Sequence, residues 1–186
     1  HVLGVDINQH VVDTINNGEI HIVEPGLSEI VKSAVDAELL SAAMAPDPAD
    51  AFLICVPTPL LPPTEGCDVH EPDLSYIESA ARSISKVLKK GDIVILESTS
   101  PVGTTEKLVS WLSDLRHDLV FPTKNENNPD VNVAYCPERV LPGSVIRELL
   151  ENDRVIGGIT EKCALAARDL YNIFVEGECS LTNART

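Results

Sequence analysis

Hydrophobic and polar positions fall in alternating blocks along this 186-residue chain, and the period changes from block to block. Val2–Val5 is an apolar run ending on Asp6. Val11, Val12 and Ile15 then recur at helical spacing until Asn17-Gly18 stops them. Pro25-Gly26 opens a second helical pattern with Leu27, Ile30, Val31 and Ala34. Ala51–Val56 is a continuous apolar run, as expected of a strand buried on both faces of a parallel sheet. A proline-rich stretch, 57–72, reads as a long loop. Asp73 then caps a helix with Leu74, Ile77, Ala81, Ile84 and Leu88 on one face, and Gly91 ends it. Ile93–Leu96 is the next buried strand. Leu108, Val109, Leu112 and Leu115 mark a helix whose start the pattern sets at Pro101. Lys124–Asp130 is polar loop, Val131–Tyr135 a strand and Val145–Leu150 a short helix. Val155-Ile156 is a further strand. Thr160 caps a helix with Cys163, Ala167, Leu170 and Phe174 inward, and residues 177–182 form a last strand. Strand and helix alternating at this rhythm predict an α/β fold with a doubly wound parallel sheet.

Composition narrows the chemistry. The net charge of −15 excludes a nucleic-acid binder, which needs clustered Lys and Arg, but not a small anionic ligand held by local donors. No apolar run approaches the roughly 20 residues that span a bilayer. The five cysteines, at 55, 67, 136, 163 and 179, are odd in number and lack C-x-x-C spacing. Cys55, Cys163 and Cys179 read as small core residues, and the pattern suits a reducing cytoplasm. The five histidines form no ligand spacing.

Four strand ends carry candidate chemistry. Asp6 follows a strand and precedes a helix, where an acid serves equally well as a helix cap or as the acceptor for an adenosine ribose. Val56-Pro57-Thr58-Pro59 projects the Thr58 hydroxyl from a stiffened loop, which by residue type alone is simply a rigid turn. Glu97-Ser98-Thr99-Ser100-Pro101-Val102-Gly103-Thr104-Thr105 sets hydroxyls beside a helix start, suited either to capping or to a phosphate or polarised water. Cys136-Pro137-Glu138-Arg139-Val140-Leu141-Pro142-Gly143 places a carboxylate and a guanidinium between an apolar strand and a Pro-Gly turn. A surface ion pair has no special reason to gather there.

These four segments together resemble the UDP-glucose/GDP-mannose dehydrogenase family over the whole chain. The resemblance implies a Rossmann-like, NAD-binding domain over residues 1–186. It would be incomplete at its start, lacking the first strand and the glycine-rich turn expected about 20 residues before the ribose acid, and would end before the central helix and substrate domain. In the strand order such folds share, that gap would leave Val2–Val5 and Ile93–Leu96 as open edges.

Family members oxidise a sugar 6-hydroxymethyl to a carboxylate with two NAD+, through a thiohemiacetal and a thioester on a cysteine. That cysteine and its assisting Lys and Asn match positions beyond Thr186, and none of the five cysteines here corresponds to it. The resemblance assigns Asp6, Thr58 and Thr105 to the cofactor, Thr99 and Glu138 to the catalytic neighbourhood, and Arg139 and Val140 to the UDP-sugar. Pro142 stands where glucose-specific members have a second Glu, which favours the N-acetyl-mannosamine branch. The implied whole is a cytoplasmic, NAD-dependent UDP-sugar dehydrogenase of surface polysaccharide synthesis, a homo-oligomer with no nucleic-acid or membrane partner, and this piece alone would be inactive. UDP-glucose is the alternative substrate. An S-adenosylmethionine-dependent methyltransferase, which also keeps an acid after its second strand, and a non-catalytic Rossmann-like interaction module are the alternatives of other classes.

Overall fold

A computed structural model describes residues 1–62, 70–123 and 128–186. Cys67 and parts of the two long loops read from sequence lie outside these residues. In chain order the first elements are β1 (Val2–Val5), α1 (Gln9–Asn16), α2 (Leu27–Asp36), β2 (Leu40–Ala43), β3 (Ala51–Ile54), α3 (Ser75–Ser85) and β4 (Ile93–Leu96). There follow α4 (Thr104–Leu115), β5 (Asn132–Tyr135), α5 (Val145–Glu151), β6 (Arg154–Gly158), α6 (Glu161–Tyr171) and β7 (Cys179–Asn183). They sort into two compact units: residues 1–47 with 139–152, and residues 48–138 with 153–186.

In the first unit β1 pairs in parallel with β2, Val2 opposite Leu40 and Val5 opposite Ala43. The Asn16 amide completes β2: its Nδ2 donates to the Ala42 carbonyl at 2.9 Å, and its Oδ1 accepts the Ala42 N–H at 2.8 Å. The Leu40–Ala43 strand escapes the sequence pattern because Ser and Ala carry little strand preference. Its lead-in turn places Glu38 at φ 58, the left-handed region a glycine normally fills after a helix.

The second unit holds a five-stranded sheet in the order β3-β4-β5-β6-β7. Side chains alternate across it. Phe52, Ile54, Val94, Leu96 and Val133 pack with Ile77, Ala81 and Ile84 of α3 and Leu108 and Leu112 of α4. Ile93, Ile95, Ala134 and Ile156 pack with Ala167 and Tyr171 of α6. Helices on both faces bury every residue of β4, which is why its sequence is uninterrupted apolar.

The structure amends several expectations, among them the third helix: α3 ends at Ser85, short of Leu88 and Gly91, and has no side-chain cap. β6 runs antiparallel to β5 while the other neighbours are parallel, so the doubly wound sheet is parallel-dominated. Ile93–Leu96 is interior; β3, paired only with β4, holds that edge among the described residues. Helix α4 begins at Thr104, because Gly103 at φ 96 breaks the chain's course after Pro101. Phe174 lies beyond α6 and is 41% exposed. The tight approach of α6 to the sheet requires Gly158, where a Cβ would meet the Thr160 carbonyl at 2.3 Å and the Ala164 amide nitrogen at 2.4 Å.

Candidate functional site

In the second unit the ends of β3 and β4 are tied by backbone and hydroxyl. The Glu97 and Ser98 amides donate to the Ile54 carbonyl at 2.9 and 3.1 Å. The buried Ser98 hydroxyl reaches the Val56 carbonyl at 2.7 Å, and Thr58 Oγ1 donates to the Thr99 carbonyl at 2.6 Å. Thr58 and Thr99 are thus brought together, Thr58 half-buried and Thr99 exposed. These hydroxyls do not cap α4, which has no side-chain cap. Thr105 is 3% exposed, its side chain packed into the first turn of that helix.

Glu138 follows β5, its amide donating to the Glu97 carbonyl at 3.4 Å. The antiparallel register of β5 and β6 sets Ala134 opposite Gly158 and Tyr135 opposite Gly157. Continued, that register carries Glu138 to Arg154. Arg154 Nη1 donates to Glu138 Oε2 at 3.0 Å, with the guanidinium side chain 4% exposed and the carboxylate side chain 31%. The guanidinium carbon stands 5.5 Å from the Tyr171 ring centroid. Tyr171 O–H donates to Glu97 Oε1 at 2.5 Å, and Cys55 Sγ donates to Glu97 Oε2 at 3.0 Å.

Burial and charge shift several of the groups around Glu97 and Arg154. Burial, then the Glu97 charge, raises the Tyr171 pKa far above the ordinary phenol value, so its hydroxyl remains a donor. Burial works against the Arg154 charge, yet the Glu138 hydrogen bond and charge outweigh it and the guanidinium pKa rises. Desolvation pushes the Cys136 thiol up to about 11. The Cys55 thiol is raised too, by desolvation first and by Glu97 next. Neither sulfur is an activated nucleophile. Cys55 is exposed at the end of β3 and Cys179 half-buried, so of the three cysteines read as core only Cys163 is fully buried.

In the first unit Asp6 ends β1, half-buried, and its Oδ1 accepts the Asn8 N–H at 2.8 Å. Asn8, not Asp6, caps α1. Arg139 is exposed and Val140 half-buried on a loop held from α5: Glu148 Oε2 accepts the Leu141 N–H at 2.8 Å, and Asn152 Nδ2 donates to the Arg139 carbonyl at 3.5 Å.

Comparison with known sequences decides the family. The model of the UDP-glucose/GDP-mannose dehydrogenase family, NAD binding domain, matches residues 1–175. The chain belongs to the UDP-glucose/GDP-mannose dehydrogenase family. It is 61% identical over 185 residues to the UDP-N-acetyl-D-mannosamine dehydrogenase of Escherichia coli K12, covering all of this chain and 43% of that protein. It is equally similar, at 61%, to the NDP-N-acetyl-D-galactosaminuronic acid dehydrogenase of Ralstonia nicotianae, of which it covers 42%. Among solved structures, the UDP-N-acetyl-mannosamine dehydrogenase of Staphylococcus aureus superposes with a TM-score of 0.86 at 39% identity, over all of this chain and 42% of that one. The chain therefore spans less than half the length of these family members.

Sequence reasoning picked out the loops but missed their supports. Arg154, a charge heading an otherwise apolar strand, was one available signal. Tyr171, a lone hydroxyl on the apolar face of α6, was another. Glu97 lay inside the chosen motif without a role.

Proposed function

We propose that the chain is the cofactor-binding part of an NAD-dependent enzyme that oxidises UDP-N-acetyl-D-mannosamine to its uronate for surface polysaccharide synthesis. The 61% identity over the whole chain to the Escherichia coli enzyme carries this reading. The residues present suit a dinucleotide. Asp6 offers a carboxylate at a strand end for ribose hydroxyls, and Thr58 offers a hydroxyl whose oxygen can still accept. Thr105, with its buried side chain, would take part through its position in the first turn of α4. NAD+ supplies the hydride acceptor when bound. In hydrolysis of the thioester that family members form on a cysteine, Glu138 would hold the water and take its proton as the thiolate leaves, with Oε2 oriented by Arg154, and Thr99 would serve beside it. Arg139 donates to UDP-sugar oxygens and Val140 packs against the sugar nucleotide. The whole protein works as a homo-oligomer in the cytoplasm, where its free cysteines stay reduced.

The equal likeness to the Ralstonia enzyme supports a second reading, an N-acetyl-galactosamine-type substrate. A protein of the relatives' full length carrying this chain is assayed for NADH against a panel of UDP-sugars. The first reading expects two NADH per UDP-N-acetyl-D-mannosamine. Preference for UDP-N-acetyl-D-galactosamine selects the second reading, and preference for UDP-glucose removes both.

A further inference from the structure

Glu24 is a buried carboxylate with no place in the reaction described above. It is 8% exposed, lies between α1 and α2, and binds a segment more than a hundred residues away. Its Oε2 accepts the Gly143 N–H and its Oε1 the Val145 N–H, both at 2.9 Å. Gly143, at φ 91, belongs to the turn that follows Arg139 and Val140, and Val145 is the first residue of α5 into which that turn leads. Burying a charged carboxylate is costly unless its lone pairs are filled, and backbone amides at a helix start fill them well. Glu148 holds the same loop from its other side through the Leu141 amide. The loop is thereby gripped by two carboxylates at positions 141, 143 and 145.

We propose that Glu24 is a positioning residue for sugar-nucleotide binding: it latches the 141–145 turn onto the first unit and so fixes the backbone from which Arg139 and Val140 project. The latch lies within the compact unit that joins residues 139–152 to residues 1–47, although the chain neighbours of 139–152 belong to the other. The positioning role rests on the reading of Arg139 and Val140 as UDP-sugar contacts. The latch itself does not.

The test uses a full-length protein carrying this chain, with Glu24→Ala, Glu24→Gln and Glu24→Asp. Glutamine is nearly isosteric but has one acceptor oxygen, so it keeps one of the two amide bonds; alanine keeps neither. Two quantities are measured: hydrogen exchange of peptides covering 141–147, and steady-state constants for UDP-N-acetyl-D-mannosamine and NAD+. Exchange should quicken by about tenfold in Glu24→Gln and more in Glu24→Ala, the loss expected for charge-assisted bonds. KM for the sugar nucleotide should rise in the same order, with Glu24→Asp nearest the parent, while kcat and KM for NAD+ stay within about twofold. If Glu24→Ala fails to fold, Glu24→Gln carries both readouts. Unchanged exchange overturns the latch. Faster exchange with an unchanged sugar-nucleotide KM, or with kcat falling alongside, overturns the positioning role. A parent that oxidises no UDP-sugar removes the functional reading and the positioning role with it, and the exchange rates still report the latch.

Discussion

Glu138 and Arg139 are chain neighbours, yet they belong to different compact units and are held by different physics. Glu138 is fixed from the sheet. The antiparallel pairing of β5 and β6 sets Arg154 against it, and buried Tyr171, hydrogen-bonded to half-buried Glu97, backs that pair. Arg139 is fixed from a loop, whose backbone N–H groups at 141, 143 and 145 donate to Glu148 and Glu24 and whose carbonyl at 139 accepts from Asn152. The cores behind them differ as well. The second unit has buried apolar clusters on both sheet faces, whereas among the described residues Val12 and Val31 are the buried apolar side chains of the first. A group needed at a fixed point in a reaction is well served by a sheet whose register cannot slip without turning its side chains over. A group that grips a ligand can sit on a loop, provided the loop is latched.

This contrast breaks first if the cores respond alike. Ile95→Ala empties a fully buried site between β4 and α6 and should cost about 2–5 kcal/mol in denaturant unfolding. Val31→Ala in the first unit should cost about 1 kcal/mol, since its smaller side chain lies in a thin core. Equal losses would deny the difference between the units.

Next in size is Arg154→Met, which leaves the part-exposed Glu138 carboxylate without its guanidinium. We expect a loss of about 2 kcal/mol, smaller than for a fully buried pair because water reaches the carboxylate. A neutral or stabilising result would show that the register, not the ion pair, holds Glu138.

Cys136 sharpens the picture of the sheet cluster through pH. Its pKa of about 11 lies above the ordinary thiol value, so the reactive thiolate is scarce at pH 8 and grows about tenfold per pH unit up to that value. Alkylation followed by mass spectrometry should show that slope, with Cys136 modified far more slowly than an ordinary thiol. Rapid labelling at pH 7 would mean that the cluster opens.

The smallest effect belongs to the first unit. Glu38→Gly relieves a left-handed residue after α2 and should raise stability by up to about 1 kcal/mol. Destabilisation would mean that the Glu38 side chain contributes something the turn geometry does not reveal.

The strands and loops of the second unit were largely legible in the sequence. Ile93–Leu96 reads as a buried strand because both its faces are covered, and the loops carrying Thr58, Thr99 and Glu138 are legible because they follow such runs. Pairing partners were not legible. β6 runs antiparallel to β5, and that pairing sets Arg154 against Glu138. Glu24 carries no sequence signal beyond standing before Pro25-Gly26, because its donors lie 119 and 121 residues away. β2 stayed hidden because Ser41, Ala42 and Ala43 carry little strand preference.

The division of labour we propose for Glu138 and Arg139 is tested most directly by steady-state kinetics of Glu138→Gln and Arg139→Ala in a full-length protein carrying this chain, with UDP-N-acetyl-D-mannosamine and NAD+ varied separately. Glu138→Gln should lower kcat by about 10²–10⁴ with little change in KM for the sugar nucleotide, as expected for a lost proton acceptor. Arg139→Ala should raise that KM by about ten- to a hundredfold, the worth of a charge-assisted hydrogen bond, with kcat nearly kept. A pattern in which Glu138→Gln moves only KM, or Arg139→Ala leaves KM unchanged, would contradict the account.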